Sequence, residues 1–440
     1  MTTPSVAERS LAALPLPARA GPAWLVERRE AARARFGALG LPTTKLEDWR
    51  FTSLAPLAGI PFGPPRLDGS ASAAAIASAA PRLGAIRVVL VNGKVRSDLS
   101  TRGPLPKGAF VGSLATALAE LPDRVRPHLG RLAGFEDQAF VALNTAQMED
   151  GVFVDLPAGA VIPEPIEILH VAEADGSPVA AHPRLLVLAG AGARATIVET
   201  FAGRGSEATL TNEVAELVLE EGAEVAHHRL QDEPERAFHL ASVHVEQGAA
   251  ARYVGHGLAL GAALARTEVR ARLAGEGAQC ALSGLYMAKG TQLVDNLSVV
   301  EHAVPHCTTT ENFKGILDDK SRGVFSGRVR VLPGAQKTNA QQLNSNLLLS
   351  DDAIVDTKPQ LEIFADDVKC GHGGTVGQLD DASLFYLRSR GLPEADARGL
   401  LIYAFAAEMV EIAPAGALRD RARALVAARL PAGARLQEGT

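Results

Sequence analysis

Cys370 and His372 are the residues in this 440-residue chain whose types and spacing point most directly to chemistry. They lie in the segment Asp366-Asp367-Val368-Lys369-Cys370-Gly371-His372-Gly373-Gly374-Thr375-Val376-Gly377. Side chains alternate faces along a strand, so in an extended segment Val368, Cys370 and His372 share one face and Lys369 points to the other. A thiolate and an imidazole suit zinc, iron or iron-sulfur species, whereas a closed tetrahedral site needs four ligands. The pair is half of a metal site, whose remaining ligands come from elsewhere in the chain, from a partner, or from nowhere. The plainer reading is a small buried cysteine beside a hydrogen-bonded histidine. A covalent enzyme with Cys370 as nucleophile and His372 as base is weaker, because same-face strand neighbours stand side by side and thiol and base must come within hydrogen-bond reach.

Other histidines offer less. His302-Ala303-Val304-Pro305-His306-Cys307 holds two imidazoles and a thiol, but Pro305 interrupts any helix that would align them, and a strand-to-turn corner is the expected outcome. His227 and His228 face opposite ways on a strand, and His239 and His244 are five apart, so packed or solvated histidines account for both pairs. There is no Gly-x-x-x-x-Gly-Lys-Ser/Thr loop, and Gly190-Ala191-Gly192 lacks both the third glycine and a following helix. The chain is expected to bind no nucleotide itself.

Composition narrows the classes further. A net charge of -6 and a pI near 6.0 give no basic footprint for nucleic acid. Cys280, Cys307 and Cys370 are the only cysteines, an odd and widely spaced set that argues against a disulfide framework and is compatible with a reducing compartment, the cytoplasm being expected. No apolar run reaches the length of a membrane span. The apolar stretch from Leu11 to Leu16 is broken by Pro15 and reads as no signal peptide, with Pro17 and an arginine following.

The elements that must position the pair fall into three regions. Residues 1–150 read as mainly helical, with a helix opened by Pro22 and closed at Gly37 to Gly40 before Pro42, an isolated hairpin at Arg87–Val95 turned by Asn92-Gly93, and a helix around Leu114–Leu121. Over 151–380, a Gly-Ala step recurs at Gly159, Gly192, Gly222, Gly248 and Gly277, at intervals of 33, 30, 26 and 29 residues. Each step is followed by an alternating run, a pattern that favours stacked units of a parallel β-helix over a β-sandwich. Residues 381–440 read as a helical domain, with one helix from Pro393 whose apolar positions are Ala397, Leu401, Ala404, Phe405, Met409 and Ile412, and a second from about Leu418 to Leu430. Their apolar stripe is expected to pack on the chain itself, capping the solenoid end.

Asn339–Ser350, Val355–Ile363 and the Cys370/His372 segment through Asp380 together resemble the SufB/SufD family of iron-sulfur cluster assembly proteins. Pro305-His306-Cys307, Lys314-Gly315, Gly323-Val324-Phe325 and Ala142-Leu143-Asn144-Thr145 extend the match. His372–Asp380 and Ser389–Glu394 resemble the SufD branch, with Gly371 departing toward a smaller, freer residue than that branch usually has. The resemblance implies a right-handed parallel β-helix flanked by N- and C-terminal helical domains, mainly β in class. It also implies a non-catalytic subunit that pairs with a SufB-like subunit through the β-helix and docks an ABC-type ATPase, SufC, on its C-terminal helices, where ATP is hydrolysed. A transient iron-sulfur cluster would be shared across the paired subunits, with His372 the better ligand and Cys370 an auxiliary. A homodimer of the isolated chain is compatible with it. The competing readings are a SufB-type primary scaffold and a stand-alone β-helix carbohydrate-active enzyme, the latter weakened by the lack of an acid/base carboxylate pair at fixed spacing.

Overall fold

The structure is a computed structural model that describes residues 5–14, 21–64, 75, 80–174, 176–205, 207–414 and 416–430. Pro15 and Pro17 of the N-terminal apolar stretch and residues 431–440 of the C-terminal region lie outside the described residues.

Alternating runs of about ten residues become strands that pair not with their chain neighbours but with the run one coil later. The register is regular: Glu311 pairs with Gln342 and Gln342 with His372, all in parallel. Among the described residues, two ten-stranded sheets result. The first runs from the hairpin Ile86–Val95 to the strand Lys369–Gly377, and the second from Phe110–Ser113 to Ile354–Ile363. Consecutive strands alternate between the sheets, so the chain is mainly β and winds as a parallel β-solenoid; a sandwich would have paired its strands antiparallel. Val152, Val187, Val225, Tyr253, Phe325 and Val329 belong to the core between the sheets.

The period has a backbone cause. At one corner, Gly159, Gly192, Gly222, Ala250, Gly277, His306 and Lys337 all have positive φ, between 54° and 74°. Each turns its N–H to the carbonyl before the next corner residue, as in Gly192 to Glu221 and Ala250 to Glu276, both at 2.8 Å. The following residue points inward and is buried: Ala160, Ala193, Ala223, Ala251, Ala278, Cys307 and Thr338. The expected corner at Gly248-Ala249 is thus displaced, because the left-handed residue of that coil is Ala250 and not Gly248. Gly248 serves close packing instead, since a Cβ there would lie 3.1 Å from the backbone of Glu220.

The hairpin at Asn92-Gly93 forms with φ of 49° and 82°, but it is not isolated: Ile86–Val91 pairs in parallel with Ile166–Glu173. The helices Ala23–Leu39 and Ala139–Gln147 lie on the second sheet's side. Phe140 and Leu143 of the latter pack with Leu210, Phe238 and Leu240 from that sheet's outer face. The helix Ala139–Gln147 is tied to that sheet by Arg184, which donates to Asn144 at 3.0 Å and pairs with Glu216 at 2.6 Å, both charged side chains being without exposed surface. Glu216 also accepts backbone N–H groups from Gly130, Leu132 and Ala133.

The C-terminal helices Glu394–Val410 and Ala417–Ala427 pack within the chain, but not on the solenoid end. They cover the outer face of the first sheet, where Ile402, Met409 and Val426 meet Val198, Leu230, Leu258, Leu285, Ile316 and Leu347. The buried stripe runs through Ala397, Ile402, Ala406 and Met409, while Ala404, expected inside, is exposed. A left-handed backbone costs an L-residue with a Cβ about 1–2 kcal/mol relative to glycine. Ala250→Gly is therefore expected to stabilise the chain by about 1 kcal/mol after glycine's greater unfolded entropy is counted, read as a higher midpoint in thermal denaturation; a lower midpoint would show that the corner is not strained.

Candidate functional site

Cys370 and His372 occupy inward-facing positions of Lys369–Gly377, the last strand of the first sheet. Cys370 continues the ladder Cys280, Thr309, Ala340, and His372 the ladder Leu282, Glu311, Gln342. Among the described residues no further coil covers them, and Cys370 is half-buried and His372 exposed. Lys369 faces the other way, as the alternation predicts. Burial pushes the Cys370 thiol above its ordinary pKa, against an opposing contact with the Ala340 backbone. A thiol so held is not a spontaneous thiolate and would ionise on meeting a metal.

Behind this end the interior is polar, because Gln342, Asn344 and Asn346 put three amides on alternate inward positions. Asn346 donates to Asn344 at 2.7 Å, and Asn344 donates to the Tyr286 hydroxyl at 3.2 Å. Glu311 accepts from the Ser298 hydroxyl at 2.7 Å and the Gln342 amide at 3.2 Å. Complete burial raises its carboxyl pKa to about 7, the two hydrogen bonds opposing.

The second candidate cluster does not come together. His302 is buried and bonds Thr309 at 2.8 Å, His306 is the left-handed residue at the outer corner, and Cys307 lies in the small-residue ladder with its thiol 3.4 Å from the Gly275 carbonyl. The strand ends at His302 and resumes at Thr308, so Pro305 lies at the expected corner. Cys280 is likewise buried in the core, where burial pushes its thiol pKa up.

His227, His228, His239 and His244 are all packed. His228 meets His256 at 3.1 Å, and burial lowers their pKa values to about 3 and about 4, leaving both neutral. His227 and His170 both contact Glu199, at 2.7 and 3.0 Å, and ligand atoms of His170, Glu199 and Glu213 lie within 4.8 Å of one another. This set resembles a metal site in its donors, yet the Arg229 guanidinium bridges Glu199 and Glu213 at 2.5 and 2.6 Å. A divalent ion would have to displace that cation. The set is therefore an internal ion-pair network: burial opposes charge on Glu199, but Arg229 and the two imidazoles hold it well below the usual carboxylate range, while burial pushes Glu213 well above. Sequence reading missed this network, although laying the coils over one another would have shown Glu199 and Arg229 at one ladder position.

Comparison with known proteins decides the family. A profile described as the SUF system FeS cluster assembly, SufBD core domain, matches residues 170–405, more than half of the chain. The chain belongs to the SufBD family. A profile for the SufBD protein N-terminal region matches residues 18–168. This SufBD chain is 37% identical to an iron-sulfur cluster assembly SufBD family protein of Synechocystis over 92% of its own length and 91% of the relative's. It is 32% identical to the iron-sulfur cluster assembly protein SufD of Escherichia coli, covering 90% and 91% of the two chains, and 26% identical to SufD of Bacillus subtilis, covering 70% and 71%. The family is one of iron-sulfur cluster assembly proteins, and the resemblance to its SufD branch holds. Among the described residues no helix is long and apolar enough to cross a membrane.

The raised pKa of Glu311 carries a signed consequence. Its folded value near 7 lies above the ordinary 4.5, so the folded state holds a proton that the unfolded state releases, and stability is lost as pH rises from about 4.5 through about 7. Glu311→Gln removes that dependence. Relative to the native chain, the variant is expected to gain stability from pH 5 to pH 8 by about 3 kcal/mol at most, at about 1.4 kcal/mol per pKa unit; equal urea midpoints at both pH values would refute a raised Glu311.

Proposed function

We propose that this chain is the SufD-type subunit of a cytoplasmic iron-sulfur assembly scaffold, and that its last coil pairs with the β-helix of a SufB-like subunit. The reading is carried by one observation: a thiol and an imidazole face inward on a terminal coil that, among the described residues, no further coil covers. Each sheet of a solenoid ends in a row of unpaired N–H and C=O groups, a ready template for another strand. Here those edges are Ile354–Ile363 and Lys369–Gly377, with Ile354, Ile363, Phe364 and Val376 exposed around them. A partner seated there would cover these apolar groups and supply the missing ligands.

The nascent cluster is cargo, assembled and then passed on. His372 and Cys370 would contribute from this side, His372 as direct ligand and Cys370 as auxiliary, because soft thiolate and imidazole ligands hold iron-sulfur species. Sharing the cluster across a seam makes its release a matter of opening that seam.

The ABC-type ATPase would dock on the C-terminal helices. The helix Asp381–Ser389 supports this, since none of its residues is buried and it presents Phe385 at 74% and Tyr386 at 56% exposure. Nucleotide binding and hydrolysis on that partner would shift the two β-helix subunits between arrangements, provided each nucleotide state prefers a different one.

In the complex co-expressed with both partners, His372→Ala is expected to leave assembly intact and lower iron and acid-labile sulfide several-fold, with Cys370→Ala the milder variant. Unchanged iron and sulfide in His372→Ala would remove it from the site. Phe385→Asp is expected to lose the ATPase on affinity purification while retaining the SufB-like subunit; retention of both would place the ATPase elsewhere.

A further inference from the structure

Gln342 stands directly behind His372 on the same inward ladder, and its side chain is constrained on two sides. Its amide nitrogen donates to Glu311, which fixes which end of the amide faces which way. Across the interior lies Gly327, where a Cβ would come within 2.7 Å of that nitrogen, so the glycine is what admits the amide. Gln342 is 1% exposed, and its Oε1 has no hydrogen-bond partner among the described residues. A buried carbonyl left unpaired is costly, because it has lost its water without gaining a donor. Along the ladder, one strand spacing or about 4.8 Å away, the next side chain is the imidazole of His372.

We propose that Gln342, anchored by Glu311, is a positioning residue for His372. Turned onto the ladder by side-chain rotation alone, His372 donates one ring N–H to Gln342 Oε1. That selects a tautomer and leaves the lone pair of the other ring nitrogen for iron. Metal-binding histidines generally donate their second nitrogen to such an acceptor, which fixes ring orientation and raises ligand basicity. The line from Ser298 through Glu311 and Gln342 is then a hydrogen-bonded support running from the solenoid interior to its open end. Glu311 joins this line through Oε2, which accepts from both Ser298 and Gln342, while its Oε1 is buried with no partner among the described residues. The proposal rests on His372 being a ligand, and it concerns the ring before any metal arrives.

The test is nitrogen NMR of the full-length, metal-free chain labelled at histidine, with His372 assigned by its loss in His372→Ala. The native ring is expected to show two well-separated ring-nitrogen resonances of a single tautomer. In Gln342→Met, which keeps volume but removes the acceptor, they should move together toward the average of a freely exchanging ring. Glu311→Gln still accepts from the Gln342 amide and should keep them apart. Averaged native shifts, or shifts unmoved in Gln342→Met, overturn the proposal. Should Gln342→Met fail to fold by circular dichroism, Glu311→Met, which frees the amide to turn, is expected to give the same collapse, and unmoved shifts there overturn the proposal equally. Iron content of the His372→Ala complex judges the ligand reading separately, so either idea can fail alone.

Discussion

Every strand of a parallel sheet must find hydrogen-bond partners on both sides, and this chain meets that demand by laying each coil on the one before. Interior coils are satisfied by construction; the last cannot be. The corner ladder makes the stacking regular, since each left-handed residue hands its N–H to the following coil. Its consequence is directional: coils accumulate toward an end that is unfinished in its hydrogen bonding. The inward-facing cysteine and histidine stand at that end.

The interior of the solenoid is less apolar than its winding requires. Charged groups deep within it persist only where they are mutually compensated, because taking a charge out of water costs several kcal/mol per ion, on the order of a whole domain's stability. Arg229 with Glu199 and Glu213 meets that condition inside the solenoid, and Arg184 with Glu216 meets it between the second sheet and the N-terminal helices. Toward the open end the compensation becomes one of hydrogen bonds between neutral amides. The change suits a region that meets a partner and its cargo, where a fixed net charge would bias which ions approach.

Much of this was legible in the sequence, and the failures have physical reasons. Coil spacing, the Asn92-Gly93 hairpin and the helix from Pro22 to Gly40 follow from local backbone preferences, which a sequence exposes directly. The shared face of Cys370 and His372 follows from strand alternation. The corner at Ala250 was misplaced because a glycine two residues earlier mimicked the signal while serving close packing. The seat of the C-terminal helices was misjudged because a solenoid has two kinds of surface needing cover, an end and a sheet face, and an apolar stripe does not say which. The ion network and the Glu311–Gln342 contact are pairings between coils, visible only once the winding register is known.

The helical strap over the first sheet also sets an order of events at the ribosome. Its cover spans Val198 to Leu347, yet the strap begins at Glu394, after the entire solenoid. During synthesis the coils can wind as they emerge, while an apolar sheet face stays bare until the last helices appear. A nascent chain therefore passes through a period when its solenoid is complete but its surface is not, and a message truncated after Asp380 would leave it there permanently, exposed to chaperones and to its own kind.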